Sequence, residues 1–157
     1  MSEQFGLQGI ETLIAKFGAI TYDVKYKGGR FALRKAANIV AKAAKTNAVA
    51  VDNPATGRSI AGNIAVRFST RTFKRSGNLL FRVGVLHGAK LKDGGDISPN
   101  APTPHWRLIE FGTEKMAAHP FMRPALENNI SAATNEFASQ YNKSIDRAIK
   151  KAAKVGN

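Results

Sequence analysis

The sequence predicts an α+β fold, with a small antiparallel sheet, an N-terminal helical pair and a long C-terminal helix. Apolar residues recur at helical spacing near both ends of the chain, whereas in the middle they alternate with polar residues as in half-buried strands. A chain of 157 residues is long enough to bury one core. We therefore expect a single domain over residues 1–157, with a long loop at residues 89–104.

The N-terminal helical pair is predicted from two apolar stripes separated by glycine. The first stripe, which predicts a helix over residues 4–17, consists of Ile10, Leu13, Ile14 and Phe17. Gly28 and Gly29 then predict a break in the helical structure. Beyond this break, an alanine-rich stripe predicts a second helix over residues 31–48. Its small apolar side chains would allow another element to approach closely.

Two strands are predicted in the middle of the chain. A cluster of turn-forming residues at 52–57 ends the helical region, and from Ile64 the apolar residues fall at every second position. The same alternation predicts a second strand over residues 79–87. Between the strands, the polar and basic residues 70–78 predict a hairpin end that projects from the body, with Phe73 exposed.

The C-terminal part begins with the predicted loop, which is rich in glycine and proline. Residues 106–111 are short and apolar, which fits either a strand or a helical turn. Pro124 suits the first position of the last helix, which is predicted to run to about residue 151. The stripe of this helix consists of Leu126, Ile130, Ala133, Phe137, Tyr141, Ile145 and Ile149. Because the helix is long for so small a chain, we expect part of its stripe to face another subunit.

The charge balance is the strongest compositional signal. The formal net charge is +13, while the apolar fraction of 43% is ordinary for a globular protein. Residues 53–92 contain no acidic residue and hold Arg58, Arg67, Arg71, Lys74, Arg75, Arg82, Lys90 and Lys92. This basic segment, residues 53–92, predicts contact with nucleic-acid phosphates or with acidic partner proteins. For any single basic residue, the alternative is that it only keeps the protein soluble.

Residue types that support catalysis or metal binding are sparse. The chain has no cysteine, and His87, His105 and His119 lie on separate predicted elements without a metal-binding spacing. The two Gly-Gly pairs lack the Lys-Ser/Thr sequence that a phosphate-binding loop needs. We therefore expect no enzyme activity, no metal and no cofactor. The N-terminus lacks a signal-peptide pattern and no stretch is apolar enough for a membrane span, so we expect a cytoplasmic product without a membrane partner.

A distinctive motif occupies residues 106–126, with the letters EFGT at 110–113 and AHPFMRPAL at 118–126. We expect Glu110 to pair with Arg107 or Arg123 and so to fix a turn. Glycine at 112 permits unusual backbone angles, and the threonine that follows is expected to cap the next residues. The two prolines should set the angle of the next element, anchored by Phe111, Phe121 and Leu126. The motif positions are Glu110, Phe111, Gly112, Thr113, Pro120, Phe121, Arg123 and Pro124.

These residues resemble a motif of the tail-completion and head-tail joining (neck) proteins of long-tailed bacteriophages, in which an EFGT turn precedes a PFxxPAL helix start. The resemblance extends through Gly9-Ile10-Glu11-Thr12-Leu13, the helix at 31–48 and the Thr56-Gly57 turn. It implies a structural virion protein of the neck, without enzymatic activity, that is made in the host cytoplasm. It further implies a homo-oligomeric ring, expected to be a hexamer. The implied partners are other neck, head-connector and tail-tube proteins, with double-stranded DNA in the lumen.

Two hypotheses from other classes stay open at this point. The first is a free, sequence-nonspecific nucleic-acid-binding protein, which would bind as a monomer or dimer with strong salt dependence. The second is a small hydrolase built on Glu110 and His119, although the sequence offers no further partner for acid-base chemistry.

Overall fold

The computed structural model describes residues 18, 21–53, 59–86 and 103–155. In chain order, its elements are a π-helical segment (Asp23–Gly28), α1 (Gly29–Val51), α2 (Ile60–Asn63), β1 (Ile64–Phe68), α3 (Thr70–Ser76), β2 (Phe81–Val85), α4 (Trp106–Phe111), α5 (Met122–Glu127) and α6 (Ile130–Val155). The combination of helices with an antiparallel pair of strands confirms the predicted α+β class. The helix predicted over residues 4–17 lies outside the described residues, as does the predicted loop up to residue 102.

Helix α1 is the element around which the described core is built. It confirms the second predicted helix and extends beyond it at both ends. Its residues Ala44 and Ala48 are fully buried and share the core with Ile60, Ile64 and Phe121. Because alanine projects only a methyl group, the strands and the neighbouring helices pack close to the backbone of α1.

The break predicted at Gly28-Gly29 is wrong, because the π-helical segment leads directly into α1. Both glycines are buried beneath neighbouring elements. A Cβ atom added to Gly28 would lie 2.8 Å from the Cβ atom of Ser144 on α6, and one added to Gly29 would lie 3.1 Å from Cδ1 of Leu79. The pair therefore serves close packing, which outweighs the low helix propensity of glycine.

Strands β1 and β2 confirm both predicted strands. They pair in antiparallel register, so that Ile64 lies opposite Val85 and Arg67 lies opposite Arg82. The side chains of Ile64 and Val66 belong to the core or pack against it. The two arginines are exposed, so one face of the sheet covers α1 and the other presents positive charge.

The connection over residues 70–78 is helix α3 rather than a projecting hairpin end, so that prediction is wrong. Gly77 ends the helix in the left-handed conformation, with φ of 69°. The ring of Phe73 lies 5.7 Å from that of Phe68 and 5.5 Å from that of Tyr26, measured between centroids. These aromatic contacts hold α3 against the body of the protein, and the local polarity of the sequence does not reveal them.

The residues around the C-terminal motif are helical. Residues 106–111 form α4, which decides between the predicted strand and the predicted helical turn in favour of a helix. Helix α5 begins at Met122, so Pro124 is the third residue of the helix, and its predicted first position is wrong. Proline is still accommodated there because the first N–H groups of a helix have no acceptor within it.

The predicted last helix is divided into α5 and α6 at Asn128 and Asn129. The side chain of Asn129 donates to the carbonyl of Ala125 at 3.0 Å, and its backbone carbonyl accepts from the N–H of Ala133 at 2.9 Å. Asparagine competes for backbone groups in this way, which favours a helix end. Helix α6 still contains 26 residues and spans about 39 Å.

The apolar stripe of the C-terminal helices is only partly covered by the described residues. Leu126, Ile130 and Ile149 are more than half exposed, whereas Phe137 and Tyr141 are half-buried. The expectation that another subunit covers part of this stripe stays a prediction.

Candidate assembly and nucleic-acid interface

Glu110 lies near the end of α4 with only 2% of its surface exposed. Its carboxylate accepts hydrogen bonds from the backbone N–H groups of Phe121 and Met122 at 2.8 and 2.9 Å, and from that of Arg123 at 3.1 Å. These N–H groups lie at the start of α5, where a helix offers them no internal acceptor. Glu110 therefore caps a helix that begins 12 residues later in the chain.

Arg123 completes the surroundings of Glu110. Its Nη2 atom donates to the backbone carbonyl of Glu110 at 2.9 Å, and its Nε atom donates to Oε1 at 3.4 Å. The guanidinium also lies 5.4 Å from the ring centroid of Phe111. The predicted pairing of Glu110 with an arginine is thus confirmed for Arg123, whereas Arg107 lies over the ring of Trp106 at 5.6 Å.

The ionisation of Glu110 follows from these contacts. Burial acts to raise the pKa of Glu110, but the three backbone N–H groups and Arg123 together hold its pKa below the usual range. A carboxylate with a lowered pKa and occupied oxygens is poorly suited to act as a general base. This environment favours the predicted structural role over the hydrolase hypothesis, whose second residue, His119, is exposed in the loop after α4.

Gly112 and Thr113 form the turn that leaves α4. Gly112 has φ of 73°, and a Cβ atom there would lie 2.9 Å from the backbone oxygen of Met116 and 2.9 Å from the nitrogen of Ala118. This confirms that the position needs glycine. The Thr113 hydroxyl accepts from the N–H of Lys115 at 3.3 Å, which confirms the predicted cap.

The three predicted anchors of this motif behave differently. Phe121 is fully buried, but Phe111 and Leu126 are 64% and 52% exposed, so the prediction is wrong for the latter two. Because α4 turns Glu110 into the protein, the next side chain points outward. Pro120 is exposed immediately before the buried Phe121.

The predicted contact residues of the basic segment divide into two described groups. Arg67 and Arg82 lie opposite each other on the exposed face of the sheet. Exposed positions on α3 hold Arg71, Lys74 and Arg75. The structure therefore gathers these five residues on the hairpin formed by β1, α3 and β2. The other three predicted contact residues lie outside the described residues and are Arg58, Lys90 and Lys92.

Helix α1 adds basic residues that were not predicted as part of a site. A groove of about 480 Å³ lies between α1 and β1, and α1 lines it with Arg34, Asn38, Ala41, Lys42 and Lys45. We call it the basic groove. Ala65 of β1 lines this groove and also the adjoining hollow that contains Arg67 and Arg82. The α1 residues and the arginine pair of the sheet therefore form a continuous surface.

A sequence signal for the basic groove exists, although it lies outside the acid-free residues 53–92. Positions 34, 38, 42 and 45 follow one another at helical spacing, and Asp52 is the only acidic residue between residues 24 and 92. The Asp52 carboxylate is engaged locally, because it accepts from the N–H of Ile60 at 2.7 Å and from that of Asn53 at 3.1 Å.

Within the described part of the chain, no cluster of histidine and acidic residues suits a metal ion. The Nε2 atom of His105 lies 3.9 Å from Oδ1 of Asp52. Across the same residues, the helices are too short or too polar to span a membrane.

Comparison with known proteins identifies a family. Residues 11–112 match the sequence model of the family described as "Bacteriophage HK97-gp10, putative tail-component". The match includes α1, both strands and α4, and it ends at Gly112 in the EFGT turn. Searches of curated proteins and of solved structures gave no significant match. The chain belongs to the HK97 gp10-like family of bacteriophage tail components.

Proposed function

We propose that this protein is a structural subunit of the phage neck, which completes the tail and joins it to the head as a ring around the DNA channel. Its family supports a structural role in the virion tail. The observation that carries the finer proposal is the basic surface formed by the basic groove and the adjoining pair Arg67 and Arg82, together with the exposed basic residues of α3.

This surface suits phosphates better than base edges. Its charges are exposed lysine and arginine side chains spread over a helix, a strand pair and a short helix. Such contacts neutralise the DNA backbone without reading its sequence. A channel through which a whole genome passes requires this kind of contact, because base-specific binding would hold the DNA at particular sites. Repetition around a ring multiplies the net charge of +13 per subunit.

The proposed assembly also needs contacts between proteins. We expect a homo-oligomeric ring, hexameric by resemblance to the family of neck proteins, with head-connector and tail-tube proteins above and below it. The exposed apolar side chains of Leu126, Ile130 and Ile149 offer surface for such contacts. The subunit would be made in the host cytoplasm and end in the neck of the virion.

A phage that lacks the gene for this protein provides the direct test. Electron microscopy should then show filled heads and complete tails that are not joined, and the intact protein supplied in trans should restore whole particles. Normal virions in the absence of the protein would overturn the proposal.

A second function, free sequence-nonspecific nucleic-acid binding, is favoured by the same basic surface. The two functions differ in where the protein is found. A neck subunit copurifies with virions at fixed stoichiometry after a high-salt wash, whereas a free nucleic-acid-binding protein is removed by salt as its phosphate contacts are screened.

A further inference from the structure

An apolar groove lies between α1 and β2, whereas the basic groove lies between α1 and β1. Its volume is about 450 Å³, and we call it the apolar groove. Its floor is α1, one wall is β2 and the other wall is formed by α5 and the start of α6. It is lined by Leu33, Ala36, Ala37, Val40, Phe81, Val83, Met122, Arg123, Leu126 and Ala133. Arg123 is the only charged side chain among these described lining residues.

The chain itself contains a segment that matches this groove in chemistry. Residues 1–17, which precede the described structure, carry the apolar stripe from Ile10 to Phe17 together with Phe5 and Leu7. The other long segment outside the described residues, 87–102, is a poor candidate because Leu91 and Ile97 are its only large apolar residues. An amphipathic helix laid into an apolar groove is a common recognition mode.

The groove and the stripe also match in length. Ile10 and Phe17 are seven residues apart, and so are Leu33 and Val40, which mark the two ends of the groove floor. At a rise of 1.5 Å per residue, each stretch is about 10 Å long. A helix over residues 4–17 would therefore fill the groove with its four stripe residues.

The stripe does not reach the groove of its own chain as a helix. Gly18, Thr21 and Tyr22 are helical and lead into the π-helical segment, so these described residues do not turn the chain back towards the groove. Leu33 lies ten residues beyond Asp23, or about 15 Å along the axis, and the groove continues to about 25 Å at Val40. The stripe from Ile10 to Phe17, about 10 Å long as a helix, is therefore shorter than the distance of about 15 Å that separates Asp23 from the groove.

We infer that the N-terminal segment of one copy, residues 1–17, docks as a helix into the apolar groove of a neighbouring copy. This inference rests on the proposed function, in which copies of the chain meet in a ring. The contact joins two different surfaces, so each copy offers one segment and one groove. Heterologous contacts of this kind close into rings when the rotation between copies permits it.

The absence of cysteine from the chain allows a clean cross-linking test. A chain with Leu13→Cys is mixed with a chain of different mass that carries Ala37→Cys, and the mixture is oxidised. A disulfide between the two masses is expected at about tenfold the yield of the control, because docking raises the local thiol concentration. The control pairs Leu13→Cys with Lys35→Cys, which lies on the same helix, is exposed and does not line the groove.

The double variant with Leu13→Cys and Ala37→Cys separates the remaining outcomes. A bridge confined to single chains would mean that the segment docks on its own subunit and would overturn the inference. Yields no higher than those of the control, both in concentrated protein and in purified virions, would also overturn it. Circular dichroism checks that each variant is folded.

The electron-microscopy test of the proposed function stays separate from this result. Unjoined heads and tails in the absence of the protein, together with failed cross-linking, would support the neck role and reject this contact. Cross-linked chains from a protein that virions do not need would support this contact and reject the neck role.

Discussion

The turn at Glu110 and the basic groove differ in whether their charged side chains are buried and paired or exposed to solvent. Glu110 is buried, and its carboxylate is held by three backbone N–H groups and an arginine. The lysines and arginines along α1 and β1 are exposed and lie in a part of the chain with a single acidic residue. The first arrangement satisfies a charge inside the subunit, and the second leaves charge available to a partner.

The residues of the recognisable motif are therefore not the residues of the surface that is proposed to contact DNA. The EFGT turn draws attention because it contains an acid, a threonine and a nearby histidine, yet its groups are used to join α4 to α5. The basic groove contains no comparable short motif. Its signal is the near absence of acidic residues over a long stretch, which becomes a surface only when α1 and β1 lie side by side.

The largest expected effect on folding comes from Glu110. Glu110→Gln should lower the free energy of unfolding by about 3 kcal/mol, because an amide cannot accept from all three N–H groups and leaves Arg123 without its charge partner. Urea denaturation measures the change. The control is Glu114→Gln at an exposed position, expected to stay within about 0.5 kcal/mol. Equal effects at both positions would contradict the capping role.

The next effect is expected at Gly112. Gly112→Ala should cost about 2 kcal/mol, because the new Cβ atom meets two backbone atoms in addition to the strain of a positive φ. Gly77→Ala is a matched control, since Gly77 has a similar φ of 69° but its nearest neighbour, the Tyr26 hydroxyl, is 3.6 Å away. It should cost about 1 kcal/mol. A larger loss at Gly77 than at Gly112 in urea denaturation would reject this account of the turn.

The pH dependence of stability tests the charge on Glu110 directly. The folded pKa of Glu110 is lower than the unfolded pKa of about 4.3, so its stabilisation is complete above the unfolded value. It is lost as pH falls through the folded pKa. The difference in stability between the wild type and Glu110→Gln should therefore be constant near neutral pH and shrink in acid. A difference that stays constant down to about pH 3, measured by urea denaturation, would show that shape rather than charge matters.

The smallest effect on folding, within about 0.5 kcal/mol, is expected for the basic residues, because they are exposed. Two triple variants remove charge at the proposed surface. They are Arg34→Gln/Lys42→Gln/Lys45→Gln in the basic groove and Arg71→Gln/Lys74→Gln/Arg75→Gln on α3. Each should weaken binding to double-stranded DNA and reduce the slope of log affinity against log salt by about 0.9 for each phosphate that the variant no longer neutralises.

A third variant, the control, also removes three positive charges, but from α6. It is Lys143→Gln/Lys150→Gln/Lys154→Gln, at exposed positions. Fluorescence anisotropy with a short duplex at several salt concentrations gives all three slopes. If the α6 variant loses as much affinity for DNA as the other two, net charge alone explains the binding. The basic groove and α3 would then not be the DNA-binding surface.

Several features followed from the sequence because they depend on neighbours along the chain. Strand alternation located β1 and β2, and alanine-rich periodicity located α1. The arginine partner of Glu110 was narrowed to two candidates, and the structure selected Arg123 because α5 begins beside the carboxylate. Gly112 was correctly placed in an unusual backbone conformation.

Other features depend on contacts between residues far apart in the chain. Gly28 and Gly29 stand inside a helix because Ser144 and Leu79 press against them, and local propensity does not include that contact. Helix α3 replaces the expected projecting loop because Phe73 packs against two aromatic rings. The basic groove depends on a contact of the same kind, because Arg34 and Lys42 line it only together with residues of β1.

Composition and local sequence pattern are enough to establish the α+β class, the family, the excess of positive charge and the short-range backbone requirements, because these depend on residue types and on residues close in the chain. Contacts between distant elements instead establish that Glu110 caps a distant helix, that α1 and β1 share one basic surface, and that an apolar groove remains open between α1 and β2. The physical reason is that burial, capping and grooves arise from distances between elements, and spacing along a chain does not set those distances.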